Sequence, residues 1–181
     1  YEIASCLVGS EMCIRDSWHA VFTASRAEKK VRDRLEELGV ECFLPVQTVL
    51  RQWTYRKSRV VVPVIAGLVF VRVGRQEQVK VLQTKGVVAF LRLKGEAGAA
   101  VIPDKQMEDF RFLLDFSEEA VEMTNENIKA GDLVRVVKGS LRGMEGELIR
   151  HKGVTKVLVR IDMLGCAMVN IPASFVEKLN K

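Results

Sequence analysis

Four cations, Arg51, Arg56, Lys57 and Arg59, are interleaved with Trp53 and Tyr55 in the segment RQWTYRKSR. Guanidinium and ammonium groups neutralise phosphates while aromatic faces accept an unstacked base, the combination proteins use to hold a single nucleotide strand. The plainer reading of the same residues is a solvated hairpin tip whose Trp53 folds back on its domain. Catalytic chemistry has no comparable constellation. His19 and His151 are lone histidines without a carboxylate or cysteine at ligand-like spacing, and Ser140 has no nucleophile-elbow context. Cys42 and Cys166 each sit among apolar residues and no CxxC pair occurs, which points to buried, reduced thiols and implies neither zinc nor another cofactor. An enzyme using Cys42 would have to lose a defined turnover on alkylation.

The basic segment needs elements to hold it. WHAVFT, 18–23, reads as a strand, and Ser25-Arg26-Ala27-Glu28 has the spacing of a capping box that opens a helix. Ala27, Val31, Leu35 and Leu38 recur at helical spacing, Lys29, Lys30, Arg32 and Arg34 occupy the wet side, and Gly39 stands where a left-handed cap belongs. Val40–Leu50 and Val60–Val73 are rich in β-branched residues and predict two strands on either side of RQWTYRKSR. A short helix around Val79 and Leu82 follows over 76–85, then a strand over 87–93. Pro103-Asp104 opens a helix with Met107, Phe110, Leu113 and Leu114 on one side. The order strand, helix, strand, strand, helix, strand is a split βαβ arrangement, an antiparallel sheet with helices.

A second unit is short and β-rich. SEEAVEMTNEN, 117–127, carries four carboxylates and no periodicity, and reads as a linker over 118–127. Beyond it, strands are expected over 132–138, 145–150, 154–162 and 166–171, punctuated by Gly139, Gly143 and Gly146. Strands this short need closure to protect their edges, so a small SH3-like β-barrel is the economical fold for 128–181. The expected class is therefore α+β in two domains, 18–117 and 128–181.

Charge is uneven. Residues 18–117 carry 17 Lys and Arg against 11 Asp and Glu, whereas 118–181 carry 10 against 9, so the basic excess lies in the first domain and favours a polyanionic partner. No apolar run approaches the roughly 20 residues of a membrane-spanning helix, and a soluble, cytoplasmic protein is expected. The first seventeen residues fit neither a signal peptide nor any helical or strand period. Back-translated, CLVGSEMCIRDS resembles the end of a transposase sequencing adapter, so 1–17 reads as a non-native tag.

GDLVRVVKGSLRGMEGELI, 131–149, resembles a KOW motif, with Gly139, Arg142, Gly143 and Gly146 in its loop. WHAVFTASRAEKKVRDRLEELGVECFLP, RQWTYRKSRVVVPVIAGLVFVRV, VLQTKGVVAFLRL and VIPDKQMEDF resemble, in order, the amino-terminal domain of the NusG family. The RQW…RK segment with VLQTKGVV is similar to specialised UpxY-type paralogues, antiterminators of long surface-polysaccharide operons.

The resemblance implies a non-enzymatic factor without a cofactor. It would bind the clamp helices of RNA polymerase β′, bridge toward the β subunit and lie against the non-template DNA strand of the transcription bubble. Its KOW barrel would contact a second partner such as a ribosomal protein or a termination factor. The family's polymerase-facing apolar patch falls here on Trp18, Phe22, Leu68 and Phe70; the aromatic positions at Ile65 and Leu68 are aliphatic, the expected proline is Ala66, and His19 replaces a tyrosine. A KOW protein that binds folded RNA or the ribosome is the alternative, distinguished by what copurifies. Some paralogues store the carboxy-terminal unit as a helical hairpin, but Val134, Val136, Val154, Val157, Val159, Ile161 and Val169 predict strands.

Overall fold

A strand buried on both faces needs partners on both edges, and WHAVFT has them. β1 (Ser17–Thr23) pairs antiparallel with β5 (Leu68–Val73) on one side and with β6 (Val87–Phe90) on the other. β2 (Glu41–Phe43) adds to the far edge of β5, giving the order β2-β5-β1-β6. The computed structural model describes residues 16–52, 57–93, 95, 97–124, 131–151, 153–161 and 164–179. Residues 1–15 of the expected tag lie outside these, while Ser17 opens β1 opposite Val73.

α1 (Glu28–Glu37) packs on β2 and β5, with Val31 and Leu35 fully buried. Its amino end differs from the expected capping box. Ala27 is the cap residue with no side-chain bond, Arg26 takes a positive φ of 59°, and Ser25 is exposed. Glu28 turns inward instead, and its Oε1 accepts a 2.8 Å bond from the Gly67 amide at the head of β5. A buried carboxylate needs a protein donor, whereas an exposed hydroxyl is satisfied by water. The carboxy end matches expectation: Gly39, at φ 75°, donates to the Glu36 carbonyl while Val40 donates to that of Leu35, each at 2.9 Å.

The two long strands expected from the sequence are four. Pro45 separates β2 from β3 (Val46–Gln52), and a turn ending in Gly67, at φ 73°, separates β4 (Lys57–Pro63) from β5. Proline has no N–H for a ladder, so each run stops there. β3 and β4 form their own two-stranded sheet, in register from Val46 opposite Pro63 to Gln52 opposite Lys57. At its base the Val64 amide donates to the Pro45 carbonyl at 2.8 Å. α2 (Gln78–Gln83) is too short to bury two positions; Val81 alone is buried, and Val79 and Leu82, expected inside, are exposed. α3 (Asp104–Phe116) buries Met107, Phe110 and Leu113 as its period predicts.

The carboxy-terminal strands make one antiparallel sheet in the order β12-β8-β9-β10-β11-β7. β8 (Asp132–Val136), β9 (Glu145–His151), β10 (Val154–Ile161) and β11 (Gly165–Asn170) occupy the expected stretches. β7 (Glu122–Thr124) and β12 (Val176–Lys178) are additions to the expected set, being three residues each and too short to show alternation. β7 lies inside the stretch that reads as linker and pairs with β11 from Cys166 to Met168. The class is α+β with antiparallel sheets and few helices. The chain forms two compact units, Tyr1–Leu44 with Gly67–Pro103 and Pro45–Ala66 with Asp104–Lys181, a division that is not sequential like the expected one. Among the described residues no helix is long and apolar enough to cross a membrane.

Candidate functional site

The hairpin of β3 and β4 carries three of the five residues singled out for nucleic acid. Residues directly opposite in a two-stranded sheet share a face, as do residues two apart along a strand. Leu50 faces Arg59 and Gln52 faces Lys57, so these four, with Thr48 and Val61, form one face, and all six are exposed. Arg51 faces Ser58 and points the other way, alongside half-buried Gln47, Val49, Val60 and Val62. The register thus brings Lys57 and Arg59 together and sets Arg51 apart. Trp53, Tyr55 and Arg56 lie outside the described residues. Neither VQTVLRQ nor KSRVVVP contains a carboxylate, and among the described residues no ion pair holds Arg51, Lys57 or Arg59.

Trp18, Phe22, Leu68 and Phe70 also share a face. β1 places Trp18 and Phe22 four residues apart, and the register with β5 sets Phe22 opposite Leu68 and Ala20 opposite Phe70. Their exposures differ. Phe22 is 42% exposed, whereas Trp18, Leu68 and Phe70 are buried. Those three are core rather than surface: Phe70 meets Phe43 with ring centroids 6.2 Å apart, and the Trp18 carbonyl accepts from Ile102 at 2.8 Å. His19, on the opposite face of β1, is a core histidine. Its Nδ1–H donates to the Ala100 carbonyl at 2.8 Å, which leaves Nε2 to accept from Gln78 at 3.4 Å. Cys42 directs its thiol to the Arg32 carbonyl at 3.7 Å.

The loop between β8 and β9 is turned by Gly139 and Gly143, at φ 87° and 93°. The Gly143 amide donates to the Val136 carbonyl at 2.7 Å, and buried Leu141 and Met144 pin the loop from either side of an exposed Arg142. Gly146 belongs to β9, not to the loop. A Cβ there would stand 2.7 Å from Val157 Cγ1 and 2.9 Å from the Leu158 carbonyl, so close strand approach requires glycine. Beside it, Arg160 grips Glu147 with two bonds of 2.7 and 2.9 Å, and the Gly131 amide adds a third at 3.1 Å. The guanidinium holds the Glu147 carboxyl below the usual carboxylate range against the opposing effect of burial. Burial pushes the Cys166 thiol up, which keeps it protonated and unreactive.

Three participants are passed over in the sequence reading. Glu28, expected in a cap, fixes the head of β5. Leu50, whose signal is the alternation of Val49 and Arg51 against Leu50 and Gln52, is the apolar centre of the exposed hairpin face. Glu122 meets a buried Lys156 ammonium at 2.6 Å, and only the register of β7 reveals that pair.

The sequence profile of the NusG family, described as transcription termination factor nusG, matches residues 16–111. Among solved structures the chain is similar to one described as domain interaction in Thermotoga maritima NusG, with 22% identity, 92% of this chain and 99% of that chain covered, and a TM-score of 0.48. It is also similar to the crystal structure of the MjSpt4:Spt5 complex, with 18% identity, coverage of 91% and 99%, and a TM-score of 0.28. No curated protein matches.

Proposed function

The chain belongs to the NusG family of transcription factors, and from that premise we propose that it is an elongation and antitermination factor acting on RNA polymerase. The family match carries this reading, and the carboxylate-free basic hairpin supports it. The first domain, 18–117, binds the β′ clamp helices, reaches toward the β subunit and lies along the non-template strand. Phe22 supplies exposed apolar contact, while Trp18, Leu68 and Phe70 support it from the core. Lys57 and Arg59, with Arg56, Arg51, Trp53 and Tyr55, attend the DNA. A factor that binds the closed clamp better than the open one shifts the population by its differential affinity and no more, which suppresses pausing.

The β unit, 128–181 together with β7, is a KOW domain, and it engages a second factor such as a ribosomal protein or a termination factor. Likeness of RQW…RK and VLQTKGVV to UpxY-type proteins supports action on long polysaccharide operons. Residues 1–15 are adapter-derived and take no part, whereas Ser17, in β1, pairs with Val73.

The test is transcription by purified polymerase on a template with a strong pause, with the full chain added. Shortened pausing is expected. Replacing Arg51, Arg56, Lys57 and Arg59 together by Ala should restore the pause and flatten the salt dependence of bubble binding. Unchanged pausing on a cognate template, with copurification of ribosomal subunits instead of polymerase, would transfer the function to the RNA-binding reading.

A further inference from the structure

Leu50 is 70% exposed, more than any other large apolar side chain among the described residues. Lone apolar residues on a surface are ordinary, but this one has particular neighbours. Arg59 stands directly across the ladder, and Lys57, opposite Gln52, lies on the same face on the diagonal. No carboxylate occurs on either strand, and among the described residues neither cation is engaged in an ion pair. Thr48 and Gln52, the polar neighbours on this face, are neutral.

We infer that this face is a two-part grip for an unpaired nucleotide strand, in which Lys57 and Arg59 hold successive phosphates and Leu50 lies against the base between them. The inference rests on the proposed role at the transcription bubble and narrows it to one side of one hairpin. Strand geometry supports the division of labour. Neighbouring positions on one face of a ribbon are about 5–7 Å apart, close to the phosphate spacing of an extended single strand, so Lys57 and Arg59, two apart on β4, can follow a backbone while Leu50, across the ladder from Arg59, meets a base projecting from it. An aliphatic side chain pressed on a base removes apolar surface from water and carries no charge requirement, as do the apolar wedges other proteins set against unstacked bases. A protein-docking reading fits less well, because Leu50 and Val61 offer a protein little apolar area, whereas Lys57 and Arg59, in no ion pair among the described residues, offer charge complementarity to a polyanion. Arg51, on the opposite face, has no part in the grip.

The experiment titrates a fluorescent DNA bubble with the full chain at several salt concentrations, and repeats this for Leu50→Ala, for Lys57→Ala with Arg59→Ala, and for Arg51→Ala. Because Leu50 is exposed, its variant keeps the parent melting temperature. Leu50→Ala should bind about fivefold more weakly at every salt concentration with an unchanged slope. The double variant should lower the slope of log affinity against log salt by roughly 1.4, about 0.7 for each phosphate no longer neutralised. Arg51→Ala should lower the slope by no more than about 0.7, the share of a single phosphate contact outside the grip. Wild-type affinity for Leu50→Ala, beside a flattened double variant, would overturn the grip and leave the hairpin as a DNA contact. An Arg51→Ala slope as low as that of the double variant would overturn the assignment to one face. If Leu50→Ala weakens polymerase binding but not the bubble, the face is a protein surface and the inference falls. No bubble binding by the parent chain would remove the inference and the hairpin's proposed DNA role together.

Discussion

Glu147 and Arg160 show what a single pair contributes when geometry is good and water is partly excluded. Two short bonds from one guanidinium and a third from the Gly131 amide satisfy a carboxylate that is largely out of solvent. The same groups fix the sign of the pH response. Because the folded state holds the Glu147 pKa below its unfolded value, the stabilisation is complete above the unfolded pKa and is lost as pH falls through the folded one. Glu147→Gln should therefore cost about 1–2 kcal/mol at neutral pH, and the gap from the parent should close as acid protonates Glu147 in the parent. Chemical unfolding of both proteins across a pH series reads this directly; a gap that widens toward acid would contradict it. At this scale the sequence is silent, since a glutamate and an arginine thirteen positions apart have no visible relation until β9 and β10 are aligned.

Elements with a full period are legible in the sequence and short ones are not. α1 announces itself through Val31, Leu35 and Gly39, and β8 and β10 through recurring β-branched residues, because several turns or alternations repeat the same signal. α2 is legible as a helix but not in its core face, since six residues give a period no room to declare itself. Pro45 and Pro63 are present in the sequence as strand breakers, yet the β-branched runs around them outweigh that signal. β7 is the instructive miss. Four carboxylates suggest a solvated linker, but one of them, Glu122, pairs with an ammonium that is almost wholly buried, and Glu119 accepts from Asn170 at 2.7 Å. Acidity here is the complement of a buried cation. Glu122→Gln should loosen β7 from β11 by about 1–3 kcal/mol, seen as faster hydrogen exchange at the amides of Glu122–Thr124 with β9 and β10 still protected. Equal loss of protection throughout the sheet would show instead that β7 is inseparable from it.

Across the molecule, the basic excess of 18–117 and the near-neutral balance of 118–181 assign long-range attraction to one part of the chain. Two kinds of contact follow, with different physical signatures. In the proposed complex Phe22 would offer an apolar ring that is indifferent to ionic strength, whereas Lys57 and Arg59 would act through phosphate charge. Phe22→Ala should weaken polymerase binding by about 1–2 kcal/mol at low and high salt alike, with little change in melting temperature. Binding by surface-immobilised polymerase at two salt concentrations separates this from an electrostatic effect, and a loss confined to low salt would refute it.

The hydrogen bond from Val64 to Pro45 gives the β3–β4 hairpin a closed neck, through which the chain leaves one strand and returns to the next. Loop closure is already satisfied at that neck, and lengthening what lies beyond it adds little entropy cost. The hairpin is in this sense an interchangeable cassette. If the hairpin meets nucleic acid as proposed, natural variation can rewrite its letters, and with them the strand preferred, while β2 and β5 keep their register, so new target sites can arise without a new fold.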